Sequence, residues 1–124
     1  MPLKIIRNDI IHMKVDAIIN PSNPHLIKGH LESVSGQIYE AAGEYELDQA
    51  CMALSPIERG EAVITPGFKL PAKYIIHTAG PKWKGGELDE IELLVKSYKS
   101  ALKLALDYKL ETIAFPLLSS GSYA

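Results

Sequence analysis

The sequence predicts a layered α/β fold with a largely parallel sheet, and three observations point there. Short β-branched, apolar runs of strand length alternate with stretches whose apolar residues recur at helical spacing. The strand-like runs are continuous rather than alternating, as expected of strands buried on both faces between layers of helices. A chain of 124 residues, 47% hydrophobic and 23% charged, is long enough to close one core without disulfides or a structural metal.

The elements follow in order. Lys4 to Arg7 is short and aliphatic, and Val15 to Asn20 (VDAIIN) is a β-branched run closed by Pro21. Between Ser33 and Ala53 the period changes. Val34, Ile38, Ala41 and Ala42 fall on one helical face, Gly43 breaks the run, and a second short helix covers Glu44 to Leu54. Glu61 to Pro66 and Lys73 to Thr78 (KYIIHT) read as two strands separated by the Gly67 to Pro71 turn. Glu87 to Tyr108 is the clearest helix. Leu88, Ile91, Leu94, Val95, Tyr98, Leu102 and Ala105 hold the 3,4 spacing of a core face, with Lys96, Lys99, Lys103 and Asp107 toward water. Thr112 to Leu118 (TIAFPLL) is a last strand that runs into a Ser-Ser-Gly-Ser loop. No repeat or linker divides the chain, so residues 1–124 read as one domain.

Composition removes several function classes. A net charge of −2 argues against a surface that coats nucleic acid or binds anionic membrane. Cys51 is the single cysteine, which leaves no disulfide framework and no paired-cysteine zinc or redox motif. No apolar run approaches the roughly 18 residues of a membrane span, and the first ten residues lack a secretory h-region. This reading expects a cytoplasmic protein. Without a metal motif, dinucleotide fingerprint or P-loop, it expects no cofactor.

Ligands of open α/β sheets bind beyond the carboxyl ends of strands. Three such loops here are rich in small and polar residues: Asn20 to Asn23 with the stretch from Lys28 to Gly36, Ala79-Gly80-Pro81, and Ser119 to Tyr123. A Gly/Ser loop entering a helix presents unpaired N–H groups and a positive dipole end, an anion site that needs few Lys or Arg. Glycine and serine also make ordinary turns, so spacing alone is a weak signal.

The arrangement as a whole carries more. Asn8-Asp9-Ile10 followed by Val15-Asp16-Ala17-Ile18-Ile19-Asn20-Pro21-Ser22-Asn23 resembles the opening of macrodomains. The resemblance continues through Gly36-Gln37-Ile38-Tyr39-Glu40-Ala41-Ala42-Gly43, Gly60 to Gly67, Leu70 to Pro81, and Phe115 to Tyr123. It implies a three-layer α/β/α domain with a mixed, largely parallel central sheet. It also implies binding of ADP-ribose, free or attached to a protein. Asp9 would accept from the adenine amino group, beside the Ile10 N–H, since an ionised carboxylate is acceptor-only. Asn23 would hold the distal ribose, and Asn20 would brace the loop backbone. Val34 and Ser35 would line the first phosphate loop. Ser119, Ser120, Gly121 and Ser122 would wrap the diphosphate, with Tyr123 against the distal ribose.

The first phosphate loop departs from the family pattern. Leu26 to Ile38 is two residues longer than that pattern and lacks its glycine cluster. Ser35 stands where many hydrolytic relatives have a water-activating Asp, and a hydroxyl has no comparable basicity near neutral pH. His30 and Glu32 lie in the same loop as substitute bases, and Pro21 and Ser22 replace two alanines. A zinc set of His25, His30 and Cys51 is the weaker reading, because Cys51 fits a small core residue on a helix. His77 reads as a satisfied core histidine. The main expectation is therefore an ADP-ribose-binding module. The alternative is an ADP-ribosyl hydrolase or ADP-ribose-1″-phosphate phosphatase using substrate-assisted water activation, with Asn23 as its catalytic residue. The family continues past this loop with a helix, a strand and a closing helix, whereas the chain stops at Ala124. The expectation is a C-terminally incomplete domain, with a sheet edge open to a partner chain or to oligomer formation.

Overall fold

A computed structural model describes residues 3–7, 10–29, 33–81 and 88–116. Their elements run β1 (Lys4–Arg7), β2 (Ala17–Ser22), α1 (Val34–Ala42), α2 (Glu44–Leu54), β3 (Ala62–Pro66), β4 (Tyr74–Ala79), α3 (Leu88–Asp107) and β5 (Thr112–Phe115). The strands form one sheet in the order β1-β5-β2-β4-β3. β1 runs parallel to β5, and β2 runs parallel to both β5 and β4. Only β3 is antiparallel, against β4. The sheet is mixed and largely parallel, as the sequence predicts.

Adjacent residues on each strand enter different cores. Ile18, Ile75 and Ala114 pack with Ile38, Tyr39, Ala42, Leu47 and Cys51 of α1 and α2. Ala17, Ile19, Ile76 and Ile113 pack on the opposite face with Ala101 and Ala105 of α3. Side chains alternate along a strand, so burying both faces produces the unbroken apolar runs seen in the sequence. The result is a helix–sheet–helix sandwich.

Local chemistry explains where elements stop. The Ser33 side chain caps α1 by accepting from the Gly36 N–H at 3.0 Å. Gly43, at φ 110°, ends α1, donates its N–H to Tyr39 O at 3.1 Å, and lets α2 start at the next residue. The β3–β4 hairpin closes through Gly67, whose N–H donates to Lys73 O at 2.8 Å. A Cβ at Gly67 would run into the Ala72 carbonyl.

Three expectations change. The α3 residues buried deepest against the sheet are Ser97, Ala101 and Ala105; of the expected row Ala105 is among them and Leu102 packs beside them, whereas Ile91 and Val95 do not. Small side chains let the helix backbone approach the strands, and Ser97 satisfies its hydroxyl on Leu93 O at 2.9 Å. Ile91 and Val95 are each 45% exposed. The second change is that β2 begins at Ala17 rather than Val15, because Val15 and Asp16 are used as a clasp. The last strand, expected to reach Leu118, is β5 through Phe115, with Pro116 buried after it.

Asp16 joins the starts of three strands. Its carboxylate accepts from the N–H of Glu111 at 2.7 Å and of Thr112 at 3.1 Å, and its own N–H donates to Thr112 Oγ1 at 2.9 Å. Its carbonyl accepts from the Tyr74 N–H at 3.0 Å. The Glu111 N–H foremost, then that of Thr112 and the Lys73 ammonium at 3.7 Å, holds the carboxyl below its ordinary value against the opposing effect of burial. A depressed carboxyl pKa adds stability above the unfolded value near 4 that disappears as pH falls through the folded one. Asp16→Ala should therefore cost about 1–2 kcal/mol in urea unfolding at pH 7. That deficit should shrink at pH 3; an equal deficit at both pH values would contradict the assignment.

Candidate functional site

The site grows out of the carboxyl end of β2. Beyond Ser22 the chain passes through Asn23 and Leu26 to Gly29, and α1 begins at Val34. Asn23 shapes this loop with its side chain. Its Oδ1 accepts from the N–H groups of His25 at 3.0 Å and Ile27 at 3.3 Å, and its Nδ2 donates to Ile27 O at 3.0 Å. Inside that cage Leu26 sits at φ 56°, in the left-handed region. A bulky residue there costs on the order of 1–2 kcal/mol. The buried Leu26 side chain offsets part of that, and its carbonyl accepts from the Tyr39 hydroxyl at 2.7 Å. Strain over-determined in this way belongs to a loop whose backbone must hold one shape. One Asn23 amide hydrogen and the exposed edge of the side chain remain for a ligand.

Ser35 is a second clasp. Its Oγ accepts from the Gly29 N–H at 3.2 Å, folding the loop back on the helix start. Ser33 takes the Gly36 N–H with its side chain and the Gln37 N–H with its carbonyl, both at 3.0 Å. The N–H groups of Val34 and Ser35 then have no partner among the described residues, at the positive end of α1. Two donors without a partner among the described residues, on a capped helix start, suit a phosphate or carboxylate oxygen. Lys28 reaches across to Glu44 at 2.6 Å and ties the loop to the start of α2.

Behind the loop lies a buried polar chain. Asn20 Nδ2 donates to His77 Nδ1 at 3.0 Å, and His77 Nε2 lies 2.9 Å from Thr65 Oγ1 and 3.8 Å from Cys51 Sγ. Burial pushes the His77 pKa down to about 4, so the ring is neutral at physiological pH. With Nδ1 accepting from the amide, the ring proton sits on Nε2 and points to Thr65. Burial also pushes the Cys51 thiol and the Tyr39 phenol up, which makes both structural rather than reactive groups. Asn20 thus braces β2 against β4 through His77, not the loop backbone as expected. The reason is alternation: Asn20 is paired with His77 in the β2–β4 register and shares its face.

The remaining site residues divide clearly. Ile10 is buried in the core beside α1, so only its backbone could meet a ligand. Asp9, Ser119, Ser120, Gly121, Ser122 and Tyr123 lie outside the described residues, as do His30 and Glu32. His25 is exposed while Cys51 is buried, and no group of three or more His, Cys, Asp or Glu that could hold a metal ion comes together among the described residues. Sequence reasoning missed Tyr39 as a loop support. Its signal was a phenol on the buried face of α1, where the hydroxyl needs a partner.

The Macro domain family model matches residues 19–124. A macro domain-containing protein of Methanosarcina mazei is 50% identical over 121 residues, covering 98% of this chain and 63% of that protein. The O-acetyl-ADP-ribose deacetylase of Salmonella gallinarum is 46% identical over 125 residues, covering 98% of this chain and 68% of its own length. The chain therefore spans about two thirds of these relatives, and slightly less for the first. Among solved structures, an Oceanobacillus iheyensis macrodomain mutant with ADPR superposes at a TM-score of 0.85, with 38% identity over 97% of this chain and 67% of that one. A Trypanosoma brucei macrodomain in complex with ADP-ribose gives 0.81, with 35% identity over 97% and 48% of the two chains. No helix among the described residues is long and apolar enough to cross a membrane.

Proposed function

The chain belongs to the Macro domain family, and from that premise we propose that it is an ADP-ribose-binding module recognising free or protein-linked ADP-ribose. One observation carries the reading: a caged, strained loop and a capped helix start bring unpaired N–H donors to the carboxyl end of β2. In this reading the Val34 and Ser35 N–H groups meet the diphosphate, and Asn23 both shapes the loop and meets the distal ribose. Asp9 takes the adenine amino group, with the Ile10 N–H beside it. Ser119, Ser120, Gly121 and Ser122 would wrap the phosphates, and Tyr123 would pack on the distal ribose side. ADP-ribose-bound relatives support the ligand class.

A hydrolytic reading has support of its own in the relatives named O-acetyl-ADP-ribose deacetylase. Against it stands Ser35, whose hydroxyl is engaged with Gly29 and is no base near neutral pH. Binding is therefore the function proposed, in a cytoplasmic setting that suits a single buried thiol. The net charge of −2 disfavours extended polynucleotide as the partner.

Calorimetry with ADP-ribose, AMP and ribose-5-phosphate tests this. ADP-ribose should give saturable heat, and Asn23→Ala should weaken it by about ten-fold or more, since both the loop cage and a ribose contact are lost. A folded sample that gives no heat at high micromolar ADP-ribose would sink the proposal.

A further inference from the structure

The bonds that shape the loop after β2 differ in their access to water. The three that the Asn23 side chain makes with His25 and Ile27 are solvent-exposed. Water competes for each of them, so they favour the turn without locking it. Two carbonyls of the same loop are instead held from the body of the domain. Pro24 O accepts from the Ile57 N–H at 2.8 Å, and Leu26 O accepts from the Tyr39 hydroxyl at 2.7 Å. Tyr39 and Leu26 are 0% and 1% exposed, so water cannot stand in for the second of these bonds. The Cys51 thiol, the other group within hydrogen-bonding reach of the phenol among the described residues, is a weak acceptor.

That bond decides the shape of the turn. Letting Leu26 leave φ 56° would carry its carbonyl away and leave a buried phenol without a strong acceptor, a cost that matches or exceeds the strain it relieves. Leu26 also donates its own N–H to Asn23 O at 3.0 Å, so fixing Leu26 fixes the backbone that carries Asn23. We propose that the Tyr39 hydroxyl is the positioning group that gives this site its preference for a ligand with a distal ribose. It touches no ligand itself and acts through Leu26 on Asn23, and the proposal rests on the ADP-ribose reading given above. A turn ordered in advance spares the ligand the cost of ordering it, and only the part of a ligand that meets Asn23 gains from this. ADP carries the adenosine and the diphosphate but no distal ribose, so its binding should not depend on Tyr39.

Calorimetry with ADP-ribose and with ADP, on wild type and on Tyr39→Phe, tests the proposal. The substitution removes one oxygen and keeps the ring in the core, so the circular dichroism spectrum should be unchanged. Tyr39→Phe should weaken ADP-ribose binding by about five-fold or more and ADP binding by less than about two-fold. An unchanged ADP-ribose affinity would overturn the proposal. So would equal losses for both ligands, since the hydroxyl would then support the domain as a whole rather than the ribose end of the site. If Tyr39→Phe does not fold, amide exchange in wild type reads the same contrast: ADP-ribose should slow the Ile27 N–H by about ten-fold or more beyond its rate with saturating ADP. Equal protection by the two ligands would again overturn it. A folded wild type that binds ADP but not ADP-ribose would instead sink the ADP-ribose reading, and this proposal with it.

Discussion

Lowering the pH from 7 toward 4.5 should destabilise this chain steadily, and His77→Gln should abolish most of that dependence. His77 is fully buried between β2, β3 and α2, with Asn20, Thr65 and Cys51 as its neighbours. None of those partners is a carboxylate, so a proton gained by the ring meets no compensating charge. Burial therefore holds the folded pKa at about 4, below the unfolded value near 6.5. Between those values the unfolded chain binds more protons than the folded one, so stability rises with pH across that window and falls on acidification. Each unit of separation is worth about 1.4 kcal/mol, so acidification through the whole window removes about 3 kcal/mol. This is a large share of a small domain's total of roughly 5–15 kcal/mol. The Asp16 effect acts in the same direction at lower pH, below about 4, so the two are separable by window. Urea unfolding at half-unit steps from pH 7.5 to 4.5 gives the slope. His77→Gln should cost about 1–3 kcal/mol at pH 7 by breaking the buried chain, and should then show a nearly flat profile. A flat wild-type profile, or a slope that survives in His77→Gln, would show that His77 does not carry it.

The architecture was legible in the sequence because burial on both sheet faces writes itself as unbroken apolar runs. Ile18 and Ile19 are adjacent, and each belongs to a different core. Helix ends were legible where one residue decides them, as at Gly43, where φ is 110°. The orientation of α3 was legible only in part: Ala105 and Leu102 of the expected face pack on the sheet core, and Ile91 and Val95 do not. Periodicity locates an apolar stripe but does not say which neighbour it faces, and small residues such as Ala101 and Ala105 carry little hydrophobic signal while making the closest contacts. Of the candidate site, the loop after β2 could be singled out in the sequence, but its internal bonds could not. Asn23 could be singled out as a polar residue at a strand end, but its closure over Leu26 depends on a left-handed backbone that no local motif requires. Asn20 and Tyr39 share this limit, because their partners His77 and the Leu26 carbonyl are distant in sequence or set by that backbone.

Installing a carboxylate at Ser35 should convert the proposed binder into a measurable hydrolase of O-acetyl-ADP-ribose. Ser35 stands in the first turn of α1, where the helix dipole favours a negative side chain by about 0.3–1 kcal/mol, so Ser35→Asp should not unfold the domain. An aspartate can still accept the Gly29 N–H that the serine hydroxyl accepts at 3.2 Å, so the loop clasp survives. Its charge also lies near the proposed diphosphate, and repulsion there should weaken ADP-ribose binding by about 3- to 30-fold in a salt-dependent way. In return the site gains a base at the position where the resemblance puts a water-activating Asp. Positioned general bases are worth about 10²–10⁴ in rate, and one introduced without its supporting contacts should give at least about ten-fold. Ser35→Ala is the control: it loses the clasp and gains no base, so it should weaken binding modestly and leave acetate release at background. Acetate release from O-acetyl-ADP-ribose, measured for the three proteins at matched saturation, separates the readings. If wild type already releases acetate as fast as Ser35→Asp, water activation does not depend on a side chain at this position. The chain is then an enzyme acting through its substrate or through groups elsewhere in the loop, and binding alone is not its function.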